Sequence, residues 1–228
     1  MSQVLNNKLD VYQLLSVFML NSNKEKIEIL LDDFIEEAIL KDDYSFSTGL
    51  LGAGWLISFL NKQDMIDVDV DNVLYDVDDN IYKLTIKAIV SINISIDELL
   101  ELISYYHQRI LNKSKYYNFY RRFALFECLK LLVDKVSSIM AVDTSLSHFE
   151  KSKVLLKYSY LITTSFSENE VEVLFYKTIE ELISYYQSIK PNNFNVKDIE
   201  ALNYLLLTSR QYANPYWIKC IEIILKQN

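Results

Sequence analysis

Glycine and proline are nearly absent from this chain. Three glycines and two prolines occur in 228 residues, about 2% against a usual ~12% for the pair. Sheets need tight turns, and tight turns draw on these residues. Their scarcity, beside abundant Leu, Ile, Glu and Lys, favours helices joined by short polar loops. Cysteine is equally rare: Cys128 and Cys220 stand far apart, each inside an apolar helical pattern. They read as buried free thiols, which excludes a disulfide framework, and neither has a nucleophile's context. The two histidines, His107 and His148, form no H-x-x-x-H, H-E-x-x-H or Cys–His pair, so no zinc-site spacing exists. His107, beside Tyr105 and Tyr106, reads as a packing or hydrogen-bonding residue in preference to a general base. No apolar run approaches the ~20 residues that span a bilayer. The stretch from Met1 to Lys8 lacks a charged-then-apolar leader pattern. The expectation is a cytoplasmic protein with no membrane partner and no cofactor.

Half the residues are apolar and the formal charge is −8. The first number supports a packed core. The second disfavours nucleic acid, whose phosphates need a basic surface; a peptide or protein partner with basic residues suits it better. Apolar residues recur at three- and four-residue spacing along most of the chain. Helices are expected near 9–21, 24–41, 49–61, 72–90, 95–112, 117–142, 146–166, 168–189, 196–210 and 215–226. Ser47 or Thr48 is available to cap the third. Ser95 with Glu98, and Ser167 with Glu170, have capping-box spacing. Pro191 ends one helix and Pro215 begins the last. The fold class is therefore all-α, about ten helices in antiparallel hairpins, and no linker interrupts the single domain expected over 1–228. One echo breaks the monotony: Glu101-Leu-Ile-Ser-Tyr-Tyr106 recurs as Glu181-Leu-Ile-Ser-Tyr-Tyr186. It is either chance in a Tyr- and Ile-rich chain or a repeated hairpin.

Three segments carry candidate chemistry. The glycines sit together in Gly49-Leu-Leu-Gly52-Ala-Gly54-Trp55, an order that is not a nucleotide loop and lacks a following Lys-Ser/Thr. Each costs a helix about 1 kcal/mol relative to Ala, so the cluster serves close helix packing or the close approach of a bound chain. Asp64 to Asp78 is an acidic connector. From Asp67 it imitates a calcium loop, but Asn72 replaces the turn glycine and Asp78 the bidentate glutamate; carboxylates at a helix N-terminus are favourable without metal. Lys113 to Phe123 is the one basic-aromatic concentration, with Tyr117, Tyr120, Arg121 and Arg122. It either covers the core or grips a peptide.

The stretch from Phe46 to Lys83 resembles the N-terminal half of lanthionine synthetase C-like proteins, which carry G-L-x-G-x-G-W, an apolar helix, an acidic connector and D-x-V-L-x-x-x-D. The matching residues are Gly49 to Trp55, Ile57 to Leu60, and Asp71-Asn-Val73-Leu74 through Asp78. Tyr105, Tyr106 and Arg109 are a weaker continuation. The resemblance implies an α/α toroid or a curved part of one, and a place in the maturation of ribosomal peptides. The family's zinc motifs, Trp-Cys-x-Gly and Cys-His-Gly, are absent. Without zinc nothing here turns a substrate cysteine into a bound thiolate at neutral pH. The expectation is a non-catalytic protein that holds a precursor or leader peptide on Gly49, Gly52, Gly54, Trp55, Tyr105, Tyr106, Tyr117, Tyr120 and Arg121. A protein-interaction scaffold and one half of a split cyclase are the alternatives.

Overall fold

The structure is a computed structural model, described over residues 10–20, 24–112, 118–142, 146–164, 166, 169–189 and 193–226. Among these residues there are eleven helices and no strand. They are α1 (Val11–Leu20), α2 (Lys24–Leu40), α3 (Leu50–Lys62), α4 (Val70–Val73), α5 (Tyr75–Val90) and α6 (Ile96–Leu111), followed by α7 (Phe119–Val142), α8 (His148–Thr164), α9 (Asn169–Ser188), α10 (Val196–Gln211) and α11 (Pro215–Lys226). The expected ten are all present; the addition is the single turn α4, inside the acidic connector. The chain parts into two compact units, Met1–Ile94 with Glu101–Leu132, and Ser95–Leu100 with Val133–Asn228. The divisions fall inside α6 and α7, where no shift in composition marks them.

In the first unit α3 is the central helix, packed on α1, α2, α4 and α5. Nine of its thirteen residues are buried, among them Leu50, Leu51, Leu56, Ile57 and Leu60. Each buried leucine or isoleucine contributes about 1.5–3 kcal/mol, which makes this short helix the anchor of the unit. Gly49, and neither Ser47 nor Thr48, is its N-cap, and no side chain caps it. The Thr48 hydroxyl instead donates to Asp43 Oδ2 at 2.8 Å, and the Ser47 carbonyl accepts from the Val11 amide at 2.8 Å. The residues expected to cap α3 thus tie the preceding loop together and fasten α1 to it.

In the second unit α8 lies against α9 and α10, and α11 closes on both α9 and α10. Phe175, Tyr176, Tyr212 and Trp217 pack ring on ring with centroids 5.4–6.0 Å apart. The buried Tyr158 hydroxyl is satisfied by the Val133 carbonyl at 3.1 Å and by Ser137 at 2.8 Å. Capping boxes open α6 at Ser95/Glu98, α8 at Ser147/Glu150 and α10 at Asn195/Asp198. The first was expected; Ser167 and Pro191 lie outside the described residues. Pro215 begins α11 as expected. Cys128 is a buried free thiol, but Cys220 is only half-buried.

Glycine's scarcity shows at the helix ends. Asp42, Asp64 and Ala213 take the left-handed conformation after α2, α3 and α10, with φ of 49°, 56° and 55°. Each is followed by an amide that reaches back across the last turn, Asp43 to Ala38, Met65 to Leu60 and Asn214 to Ser209, at 2.9–3.0 Å. These are Schellman ends, where glycine is the usual residue.

Candidate functional site

The densest polar arrangement lies in the first unit, around one carboxylate. Asp78, in the first turn of α5, is buried, and so are Tyr105 and Arg109, which sit four residues apart on one face of α6. Asp78 Oδ1 accepts from the Tyr105 hydroxyl and from Arg109 Nε at 3.0 Å. Asp78 Oδ2 accepts from Arg109 Nη2 at 2.7 Å and from Arg121 Nη2 and Nε at 2.6 and 3.0 Å. Arg109 Nη2 also donates to Asp71 Oδ1 at 3.0 Å. Two carboxylates and two guanidiniums make the cluster neutral, the condition under which buried charge is tolerated. Burial alone would lower the Arg109 guanidinium, but its bonds and charge pairing with Asp78 raise it above its ordinary value. Burial, then the Asp78 charge, pushes the Tyr105 phenol far up. It is a neutral hydrogen-bond donor across the physiological range.

The first turn of α7 completes the arrangement with two adjacent arginines. Arg121 Nη2 donates to the Leu74 and Tyr75 carbonyls, both at 3.2 Å, and its guanidinium stacks 4.7 Å from the Tyr75 ring centre. It clamps the α4–α5 junction. Arg122 donates to the Asn112 carbonyl at 3.0 Å and to the Ile110 carbonyl, where a cation complements the C-terminus of α6. Asn112 in turn donates to the Ser58 carbonyl on α3 at 3.0 Å. On the inner side of α6, Tyr106 shares a hydrogen bond with Thr85 at 2.9 Å. Burial raises the neighbouring Cys128 thiol, which leaves it an inert packing group. These polar side chains hold helices to one another.

The glycines have a packing explanation at each position. A Cβ on Gly49 would meet the Asp43 carbonyl oxygen at 2.4 Å; on Gly52, the Phe46 carbonyl oxygen at 1.8 Å and Val11 Cγ2 at 2.5 Å; on Gly54, the Tyr105 ring at 2.6 Å. None has positive φ. They permit close approach and are not needed for an unusual backbone. The side of α3 that they leave bare is filled by the chain's own atoms.

Of the nine residues singled out from sequence, Tyr105 and Arg121 meet at Asp78, and Gly54 lies against the Tyr105 ring. Gly49 and Gly52 bind the preceding loop, and Tyr106 faces Thr85. Trp55 is half-buried, stacked on Phe59 at 5.4 Å and tilted on Phe46 at 5.7 Å. Tyr120 stands apart with most of its ring in solvent, and Tyr117 lies outside the described residues. The sequence names Asp71 and Asp78 within the acidic connector, but neither was among the nine binding residues, and the centre of the cluster was not foreseen. The available signal was the pairing of seven acids without one base over 64–79 with Tyr105 and Arg109 at helical spacing. Among the described residues no group of three His, Cys, Asp or Glu is placed to hold a metal ion, and no helix is long and apolar enough to cross a membrane.

No family model, curated protein or solved structure matches this chain.

Proposed function

We propose that this chain is a lanthionine synthetase C-like protein without cyclase activity, one that binds a precursor or leader peptide during maturation of a ribosomal peptide. The family's ring of hairpins belongs to the same proposal. Support comes from the resemblance of Phe46 to Lys83 and, above all, from the outer face of α5. There Tyr75, Tyr82, Ile86 and Val90 recur at helical spacing with much of each side chain in solvent. The exposed carboxylates Asp76 and Asp79 lie among them. Tyrosine faces offer contact area at low entropic cost and attract cations. Carboxylates beside them select Lys and Arg. A segment with alternating apolar and basic side chains satisfies both, and it suits a chain of net charge −8. The polar groups buried beneath this face are spent on Arg109 and Arg121, so the face would offer binding without a reacting group.

The test is calorimetric titration of the purified protein with the short peptides encoded beside its gene. At least one should bind. Tyr82→Ala should weaken it by about tenfold, the effect of removing one well-used aromatic contact. Added salt should weaken it further, while the melting temperature of the variant stays unchanged. If none of those peptides binds, the proposal is wrong.

A further inference from the structure

The two tyrosines on the outer face of α5 are not equivalent. Tyr75 and Tyr82 are 59 and 49% exposed, and their helical spacing points them within about 20° of one another. Tyr75 already holds a cation. The Arg121 guanidinium stands 4.7 Å from its ring centre, fixed there by Asp78 Oδ2 at 2.6 Å and by the Leu74 and Tyr75 carbonyls at 3.2 Å. Among the described residues no ring or cation packs on Tyr82 and no group bonds its hydroxyl. A cation arriving on the open side of Tyr75 would share one ring with Arg121, whose charge already draws the π electrons toward itself. Tyr82 offers an undivided ring.

The charges on α5 point to the same place. Asp79 lies one turn back from Tyr82 and about 60° round the helix, the spacing at which side chains i and i+3 are neighbours. It is exposed, and among the described residues no cation pairs with it. The other exposed charges of the helix, Asp76, Lys83 and Lys87, fall about 100–140° round from Tyr82. The Lys83 amine reaches further that way, to Asn80 Oδ1 at 3.4 Å. The chain's own lysines therefore leave the Tyr82 ring and the Asp79 carboxylate to a ligand. An ammonium or guanidinium between them meets a π face and a carboxylate together. Its apolar neighbours then reach Tyr75 on one side and Ile86 on the other. A lysine or arginine flanked by apolar residues fits this order, and an acidic residue is repelled by Asp79.

We infer that Tyr82 and Asp79 form the subsite for a basic side chain of the ligand, while Tyr75, held by Arg121, supplies apolar contact alone. This rests on the reading of α5 as the binding face. The test uses a defined probe, acetyl-Leu-Lys-Leu-Lys-Leu-amide, beside the same peptide with glutamine in place of both lysines. Each is titrated calorimetrically into wild type, Tyr82→Leu, Asp79→Asn and Tyr75→Leu, all of which should keep the wild-type circular-dichroism spectrum because the positions are exposed. Wild type should bind the lysine peptide more tightly than the glutamine peptide. Tyr82→Leu and Asp79→Asn should each shrink that preference by about threefold or more, the size of an exposed cation–π or ion-pair contact. Tyr75→Leu should change it by less than about 1.5-fold, whatever it does to both affinities together. If neither peptide binds wild type, the reading of α5 falls and the subsite with it. If the peptides bind but show no lysine preference, or one that Tyr75→Leu shrinks as much as Tyr82→Leu, or one that either Tyr82→Leu or Asp79→Asn leaves intact, the subsite alone is overturned.

Discussion

Replacing Asp78 with asparagine removes one charge and almost no volume. In the native protein that carboxylate accepts four arginine N–H contacts at 2.6–3.0 Å as well as the Tyr105 hydroxyl. A carboxamide offers one acceptor oxygen and turns an NH₂ toward two guanidiniums. Arg109 and Arg121 would then share only the Asp71 charge, leaving one buried positive charge without compensation. Breaking a buried ion pair from one side costs about 3–5 kcal/mol, a large part of the ~5–15 kcal/mol that holds a domain together. With m-values of ~1–3 kcal/mol per molar urea, the unfolding midpoint should fall by on the order of 2 M. The protein's two tryptophans allow the loss to be located, because Trp55 lies in the first unit and Trp217 in the second. In a Trp217→Phe background the Trp55 emission should report the full shift. A double-mutant cycle gives the decisive number. Asp78→Asn combined with Arg109→Met should cost about 2 kcal/mol less than the two changes added, since removing both partners leaves less uncompensated charge. A loss under about 1 kcal/mol for Asp78→Asn, or additivity within about 0.5 kcal/mol, would refute the view that this carboxylate neutralises the cluster.

Three further outcomes follow from the same contacts. Gly52→Ala should be the worse of two glycine changes, costing about 3 kcal/mol or more in urea unfolding because its Cβ meets fixed backbone. Gly54→Ala, which meets a ring edge, should cost about 1–2 kcal/mol, part of it offset by alanine's helix preference; equal costs would contradict the packing account. Lys157 on α8 is held by burial at about 8, below its usual 10.5. The unfolded state therefore binds more protons between these values, and the penalty is full below pH 8 and relieved toward pH 10.5. Lys157→Met should stabilise by about 1–3 kcal/mol at pH 7 and progressively less as pH rises toward 10.5, measured against wild type by urea titration at each pH. Ala213→Gly should stabilise by about 0.5–1 kcal/mol in thermal melts, because alanine at φ 55° strains where glycine does not; destabilisation would mean that the turn is held by other contacts.

The sequence by itself determined the class of fold, because helical class follows from local terms. The spacing of Leu14 and Phe18, the Ser95/Glu98 box and Pro215 act within a turn or two, so the ten expected helices are all present. The glycine hexapeptide likewise announced a close approach. Composition could not say to what: the neighbours are the Phe46 carbonyl six residues back for Gly52, and for Gly54 the Tyr105 ring more than fifty residues ahead. The same limit explains the cap of α3, where Thr48 prefers Asp43, a partner supplied by the loop's own fold. The repeated Leu-Ile-Ser-Tyr-Tyr shows it most plainly. In both copies the Leu, the Ile and the second Tyr are buried, as the helical period requires. The first Tyr differs: Tyr105 is buried on Asp78, whereas Tyr185 is partly exposed beside His148 at 3.9 Å. Which carboxylates of the acidic connector would pair with arginine was also invisible, since Asp71 and Asp78 differ from Asp76 and Asp79 only in facing α6. Local chemistry chose the helices; the charge pairing of residues 31 and 43 positions apart, Asp78 with Arg109 and with Arg121, exists only once the tertiary structure has brought them out of water together.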